Sequence, residues 1–166
     1  ILATPVLEGG QTTVKGYFPR ALWYDFYTKE LFNAFGETKV LNAPVDFMPL
    51  HIKGGSIIPT HDGYGLTTAD LRKLPFGFLV APDEHGYASG AFYWDDGETN
   101  DVPENERIYR KTSVSLSENG RSGKFSVFGK SQYNPEQVVG TIEIMGVTGE
   151  GRVTASFVNS NEPLPE

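Results

Sequence analysis

Apolar residues alternate with polar ones along most of this chain, the period of two at which one face of a β-strand meets a core. The segments Thr13 to Phe18 and Leu22 to Thr28 are predicted strands. In the second, Leu22, Tyr24 and Phe26 fall on one face and Trp23, Asp25 and Tyr27 on the other, so both faces carry aromatics and both are expected to be covered. Val40-Leu41 leads through Asn42-Ala43-Pro44 into a stretch where Met48, Leu50 and Ile52 alternate with Phe47, Pro49 and His51. Its prolines place it near a sheet edge, because proline cannot donate to a ladder. Lys53-Gly54-Gly55 then turns the chain into Ser56-Ile57-Ile58-Pro59.

The alternation weakens from Thr60 to Lys73, where Thr67-x-x-Asp70 offers one capped helical turn and a domain boundary is expected. Beyond it, Phe76 to Ala81 is an apolar run of buried-strand length. Pro82 to Gly86 then reads as the loop of a β-hairpin returning through Ala91-Phe92-Tyr93-Trp94. Thr112, Val114 and Leu116 alternate up to Asn119-Gly120, a hairpin turn signal, and Lys124 to Phe128 is the returning strand. Val138 to Met145 and Val153 to Val158 are the last strands, and polar Asn159 to Glu166 trails off.

Composition supports strands and turns. The 19 glycines and 11 prolines among 166 residues rule out a bundle of long helices, while 13% aromatic content supplies bulky core side chains. The net charge of −7, with basic residues scattered singly, excludes a stripe able to neutralise phosphates, so no nucleic-acid partner is expected. No apolar run approaches the roughly 20 residues of a membrane span. The absence of cysteine removes disulfides, thiolate zinc sites and thiol catalysis from this stretch. Ile1 to Leu7 opens in mid-strand, and polypeptide is expected upstream.

The densest carboxylate group is Asp95-Asp96-Gly97-Glu98, with Asp101 close behind. Neighbouring strand residues point to opposite faces, whereas a glycosidic bond needs carboxyls about 5 to 9.5 Å apart across a cleft. A calcium loop starting at Asp95 would place Gly97 where an oxygen ligand is required and Asn100 at the glycine position. A structural loop, its carboxylates accepting backbone N–H bonds, is the expected reading. His51, His61 and His85 have no metal-ligand spacing, and Ser56 fails the nucleophile-elbow pattern at Ile58, so no metal, cofactor or catalytic residue is expected here. Trp23, Tyr24, Tyr27, Tyr93 and Trp94 could stack on sugar rings, although aromatics on alternating strands more often fill cores.

Several phrases, taken in order, resemble the segment that follows the catalytic barrel in family 31 glycoside hydrolases of the α-glucosidase type. Leu2-Ala3-Thr4-Pro5-Val6-Leu7 is similar to the last barrel strand and its exit, and Gly16-Tyr17-Phe18-Pro19 with Leu22-Trp23-Tyr24-Asp25 to the opening of a proximal β-sandwich. Ala43-Pro44-Val45-Asp46 through Lys53-Gly54-Gly55-Ser56-Ile57-Ile58-Pro59 resembles that sandwich's close, and Gly65-Leu66-Thr67-Thr68 the crossing to a distal one. Ala88-Ser89-Gly90-Ala91-Phe92-Tyr93-Trp94-Asp95-Asp96-Gly97-Glu98-Thr99 resembles the distal domain's most recognisable stretch. From about Val102 the likeness is one of strand pattern only.

The resemblance implies an all-β chain of two consecutive antiparallel β-sandwich domains: residues 1–11 as barrel remnant and exit loop, 12–66 as the proximal sandwich, 67–166 as a distal sandwich lacking its end. It implies a retaining hydrolase releasing terminal α-linked glucose from maltooligosaccharides or α-glucans, with both catalytic aspartates upstream of Ile1 and none in this segment. The implied partner is that barrel, against which the two-faced strand Leu22 to Thr28 and Ile1 to Leu7 are expected to pack, and the implied location is secreted or lysosomal. A self-standing carbohydrate-binding β-sandwich is the alternative, as is part of a family 31 α-xylosidase or transglucosidase.

Overall fold

The computed structural model describes residues 1–95, 97–101, 108–116, 123–128 and 137–147. The described chain is almost wholly β: β1 (Leu2–Ala3), β2 (Thr13–Phe18), β3 (Trp23–Asp25), β4 (Leu31–Phe32), β5 (Glu37–Asn42), β6 (Leu50–Lys53), β7 (Ser56–His61), α1 (Thr68–Leu71), β8 (Phe76–Ala81), β9 (Tyr87–Trp94), β10 (Ile108–Leu116), β11 (Gly123–Phe128) and β12 (Val139–Ile144). They form a four-stranded sheet ordered β1-β6-β3-β4, a two-stranded β2-β5 ribbon and a six-stranded sheet ordered β11-β10-β9-β7-β8-β12.

The ribbon and the four-stranded sheet enclose a core of Phe18, Trp23, Ala34 and Leu41, with Phe18 edge-on to Trp23 at 5.4 Å. Trp23 and Tyr24 are consecutive, so the pleat sends them to opposite faces. Trp23 joins this core, and Tyr24 joins a second cluster with Ile52, Leu79, Ala81 and Met145. The two-faced aromatic pattern read from sequence is therefore realised, but both faces are covered from within the chain.

β3 is shorter than the alternation predicts. The Asp25 Oδ1 accepts the backbone N–H of both Tyr27 and Thr28 at 2.8 Å, and Lys29 takes a positive φ of 65°. A short carboxylate offers the backbone a turn in place of a ladder, which ends the strand at Asp25. Likewise β6 begins only at Leu50, leaving Phe47 and Met48 in the preceding loop.

Gly54 and Gly55 carry the chain from one sheet to the other. The Gly54 N–H donates to the Leu22 carbonyl and the Gly55 N–H to the Ala81 carbonyl, each at 2.8 Å. A side chain at Gly54 would meet the Pro82 oxygen at 2.9 Å, and Gly55 needs φ +86°. β7 then pairs antiparallel with β8 from Ser56↔Ala81 to His61↔Phe76.

That pairing overturns the expected hairpin between β8 and β9. The loop closes locally as a turn, the Asp83 Oδ1 accepting the N–H groups of His85 and Tyr87 at 2.9 Å. Yet β7 already occupies the edge of β8, so β9 lies beside β7, in parallel at Ser56↔Ser89, and beside β10. Aromatics of β8, β9 and β11 meet: Phe76 lies 5.3 Å from Phe92 and 5.1 Å from Trp94, and Phe78 lies 5.2 Å from Phe125. Burying each such ring contributes about 1.5 to 3 kcal/mol. Antiparallel β10 and β11 run from Lys111↔Phe128 to Leu116↔Gly123, as the alternation predicts, while β12 adds to β8 in parallel. The Thr67 cap is present, its Oγ1 accepting the Asp70 N–H at 3.1 Å and donating to Asp70 Oδ2 at 2.8 Å. Asn119-Gly120 and the expected strand Val153 to Val158 lie outside the described residues.

Candidate functional site

The carboxylate group follows β9. Asp95 Oδ1 accepts the Gly97 N–H at 2.8 Å and Oδ2 accepts the Tyr93 hydroxyl at 2.7 Å. Gly97 turns the chain at φ +75°, and Asp101 also has positive φ, 54°. The Arg72 guanidinium stacks over the Trp94 ring at 4.4 Å and donates from one terminal nitrogen to the Asp95 carbonyl. Asp95 thus organises a turn clamped by an arginine, a geometry in which its carboxylate is engaged on both oxygens. Asp96 lies outside the described residues. Sequence reasoning missed Arg72, because nothing in a chain pattern places a loop cation over a tryptophan distant in sequence.

The histidines are not brought together. His85 is exposed in the β8–β9 loop, 3.7 Å from Glu84, and His61 ends β7 with its ring 5.6 Å from Trp94. His51 is 2% exposed at the centre of the four-stranded sheet, edge-on to Phe18 at 4.8 Å and tilted on Phe32 at 4.4 Å. Among the described residues no group of carboxylates, histidines and cysteines is arranged to hold a metal ion.

Burial pushes the His51 imidazole below its ordinary value, and the nearby Asp25 carboxylate only partly opposes this. The folded chain then resists a proton that the unfolded chain accepts at about pH 6.5. Stability is full above that pH and falls as pH drops toward the depressed folded value. Thermal unfolding followed from pH 7.5 to 5 should show a falling Tm, and His51→Leu should flatten that fall. Equal slopes in the two proteins would contradict the assignment.

The aromatic residues considered for sugar stacking divide between different places. Trp23 and Tyr24 are core residues, and Trp94 lies between Arg72 and Phe76. Tyr27 is half-exposed beside Phe47, with ring centroids 4.9 Å apart. Tyr93 shares the exposed side of β9 with Tyr87, Ser89 and Ala91.

A groove of about 490 Å³ lies between the loops 5–11 and 43–48. It is lined by Pro5, Val6, Pro44, Val45, Phe47 and Met48, with Glu8 and Asp46 among its polar groups. Sequence reading marked only one wall of it, Pro5 and Val6 in the stretch Ile1 to Leu7 expected to pack on a barrel. Among the described residues no helix is long and apolar enough to cross a membrane.

The family model described as the glycosyl hydrolase family 31 C-terminal domain matches residues 1–58. Glucoamylase 1 of Candida albicans is 46% identical over 154 residues, covering 90% of this chain and 15% of that protein. Glucoamylase 1 of Schwanniomyces occidentalis is 38% identical over 166 residues, 97% of this chain and 16% of that protein. Among solved structures, a family 31 dextranase of Flavobacterium johnsoniae in complex with glucose is similar with a TM-score of 0.66 and 25% identity, over 86% of this chain and 18% of that one. The chain therefore spans about one sixth of the length of the curated relatives it matches.

Proposed function

This chain belongs to the C-terminal region of glycosyl hydrolase family 31, and from that premise we propose that it is the non-catalytic, supporting portion of a retaining α-glucosidase acting on maltooligosaccharides or α-glucans. The observation that carries this reading is the coverage: strong identity to a glucoamylase along nine-tenths of the chain but only 15% of the relative. The double displacement, in which one carboxylate attacks the anomeric carbon and another protonates the leaving oxygen, belongs to the part of the enzyme this chain does not cover. The turn geometry of Asp95 supports that division, because a carboxylate fixed between Gly97 N–H and Tyr93 hydroxyl is poorly placed for proton transfer to a substrate.

The segment's role is mechanical, holding the catalytic barrel's flank and loops in place. We divide it into residues 1–11, a proximal sandwich and a distal sandwich. The pairing of β7 with β8 supports a seam at Gly54-Gly55, earlier than residue 66. A secreted or lysosomal location goes with this reading.

In the full-length enzyme, Asp95→Asn should leave kcat on maltose within about threefold of the parent, whereas losing a working acid–base carboxylate costs about 100-fold or more. A loss of that size with an unchanged Tm would refute the reading. The alternative, a sugar-binding module, is favoured by the exposed Tyr87 and Tyr93 on β9. Calorimetric titration of the purified chain with maltoheptaose decides it, since saturable binding would support the module.

A further inference from the structure

Two pairs of adjacent basic residues occur in the sequence, Arg72-Lys73 and Arg110-Lys111. They sit in opposite settings. Arg110 and Lys111 lie inside β10, in register with Phe92 and Ala91 of β9, and Lys111 also with Phe128 of β11. Arg72 caps the C-terminus of α1 and Lys73 follows it, in the segment that links β7 to β8. Every residue from Asp62 to Asp70 except Gly65 is exposed there, and so is Lys73. Exposed loops are where chains are nicked, whereas a strand bonded to its neighbours opens only at high cost.

The linking segment is closed on itself. The Asp62 N–H donates to the Pro75 carbonyl at 2.8 Å, which brings the ends together as in an Ω-loop. A methyl on Gly63 would lie 3.1 Å from the Leu74 side chain, so Leu74 folds back over Gly63. The Lys73 and Leu74 N–H groups donate to the Asp70 and Leu71 carbonyls, each at 3.1 Å, and keep the Lys73–Leu74 bond in a helical turn. A protease cleft takes its substrate extended, so this turn must unwind before the bond is cut. Arg72 opposes the unwinding: its guanidinium lies 4.4 Å over the Trp94 ring and donates to the Asp95 carbonyl, tying the loop to the turn that follows β9. A planar guanidinium stacks and donates at once, which the compact ammonium of lysine does less well.

We propose that the Lys73–Leu74 bond is a processing site for an endoprotease specific for basic residues, and that Arg72 is the latch that guards it. Cleavage adds water across the amide and leaves a carboxylate on Lys73 and an amine on Leu74. The two pieces stay together, because the nick falls between β7 and β8, which remain paired from Ser56↔Ala81 to His61↔Phe76. Two clusters draw on both pieces: Ile57 packs with Phe76, Phe78, Val80 and Ala88, and Tyr24 and Ile52 pack with Leu79, Ala81 and Met145. The product is a two-piece protein with its cores intact.

The test is limited digestion of the full-length protein with trypsin, each cut being read on its own peptide by mass spectrometry. Cutting at Lys73–Leu74 follows the population of the opened loop. Arg72→Ala removes a cation–π contact and a charge-assisted hydrogen bond, so it should speed that cut at least about tenfold. Arg72→Lys should restore only part of the protection. The Lys15–Gly16 bond, inside β2 and paired with β5, is the reference, because its cut needs the first core to open. Its rate should change less than about threefold in either variant, as for a separate opening unit. The nicked protein should elute as one species from native size exclusion and separate into two in denaturant. Acceleration below tenfold at Lys73–Leu74 in the Arg72→Ala protein, or equal acceleration at Lys15–Gly16, overturns the latch. Pieces that part under native conditions overturn the processing site.

Discussion

Gly90→Ala should destabilise the purified chain by about 3 kcal/mol, near the upper end for overpacking a tight site. Gly90 lies where β9 crosses β7, and an added methyl would fall on the Ile57 carbonyl oxygen and within 3.1 Å of the Ile57 carbonyl carbon. Neither strand can yield easily. β7 is bonded to β8 along its other edge from Ser56 to His61, and the Ser89 N–H donates to the Gly55 carbonyl at 3.1 Å. Backbone against backbone leaves no rotamer to absorb the clash. Gly9 supplies the control, because a side chain there would meet nothing within 4 Å, and Gly9→Ala should stay within about 0.5 kcal/mol. Urea unfolding monitored by Trp94 fluorescence reads both. Equal midpoints for the two variants would contradict the crossing.

Tyr24→Ala should cost about 3 to 5 kcal/mol, the range for truncating a buried aromatic. Its larger consequence is to uncouple the two halves. Tyr24 and Ile52 belong to the four-stranded sheet, Leu79 and Ala81 to the six-stranded one, and all share one cluster with Met145. The Tyr24 hydroxyl donates to the Pro82 carbonyl at 2.8 Å, a buried bond across the seam. Burial and then the Asp83 charge raise its pKa, so this phenol stays protonated and donating through the neutral range. The chain has two tryptophans, and they report separately: Trp23 in the core with Phe18, Ala34 and Leu41, and Trp94 against a cluster of Ile57, Phe76, Phe78, Val80 and Ala88 in the six-stranded sheet. Trp23→Phe and Trp94→Phe backgrounds should give coincident unfolding midpoints in the parent and separate ones once Tyr24 is alanine. Coincidence after the substitution would show that other contacts couple the halves.

How far the sequence foretold the fold depends on the range of the interaction involved. Alternation located most strands because each residue's face is a local property, and Thr67-x-x-Asp70 announced its own helical turn. The chemistry of Asp and Gly made the Asp95–Gly97 turn legible for the same reason. Pairing partners were not legible: Pro82 to Gly86 carries a sound turn signal, yet β7 had already taken the edge of β8, and only three-dimensional competition decides that. Asp25 shortened β3 through a side-chain acceptor that competes with the ladder, a signal present in the sequence and outweighed there by the aromatic pattern. His51 is enclosed by Phe18 and Phe32, which converge from other strands. Leu7, Val45 and Phe47 stand exposed in loops, and hydrophobicity read along a sequence says nothing of which side of the molecule a residue faces.

On the proposed reading, the bond-breaking groups lie outside these residues. Incubating the purified chain with maltose and assaying free glucose tests it most directly. No glucose above the buffer control is the expected result, and glucose release that disappears in the Asp95→Asn protein would contradict it.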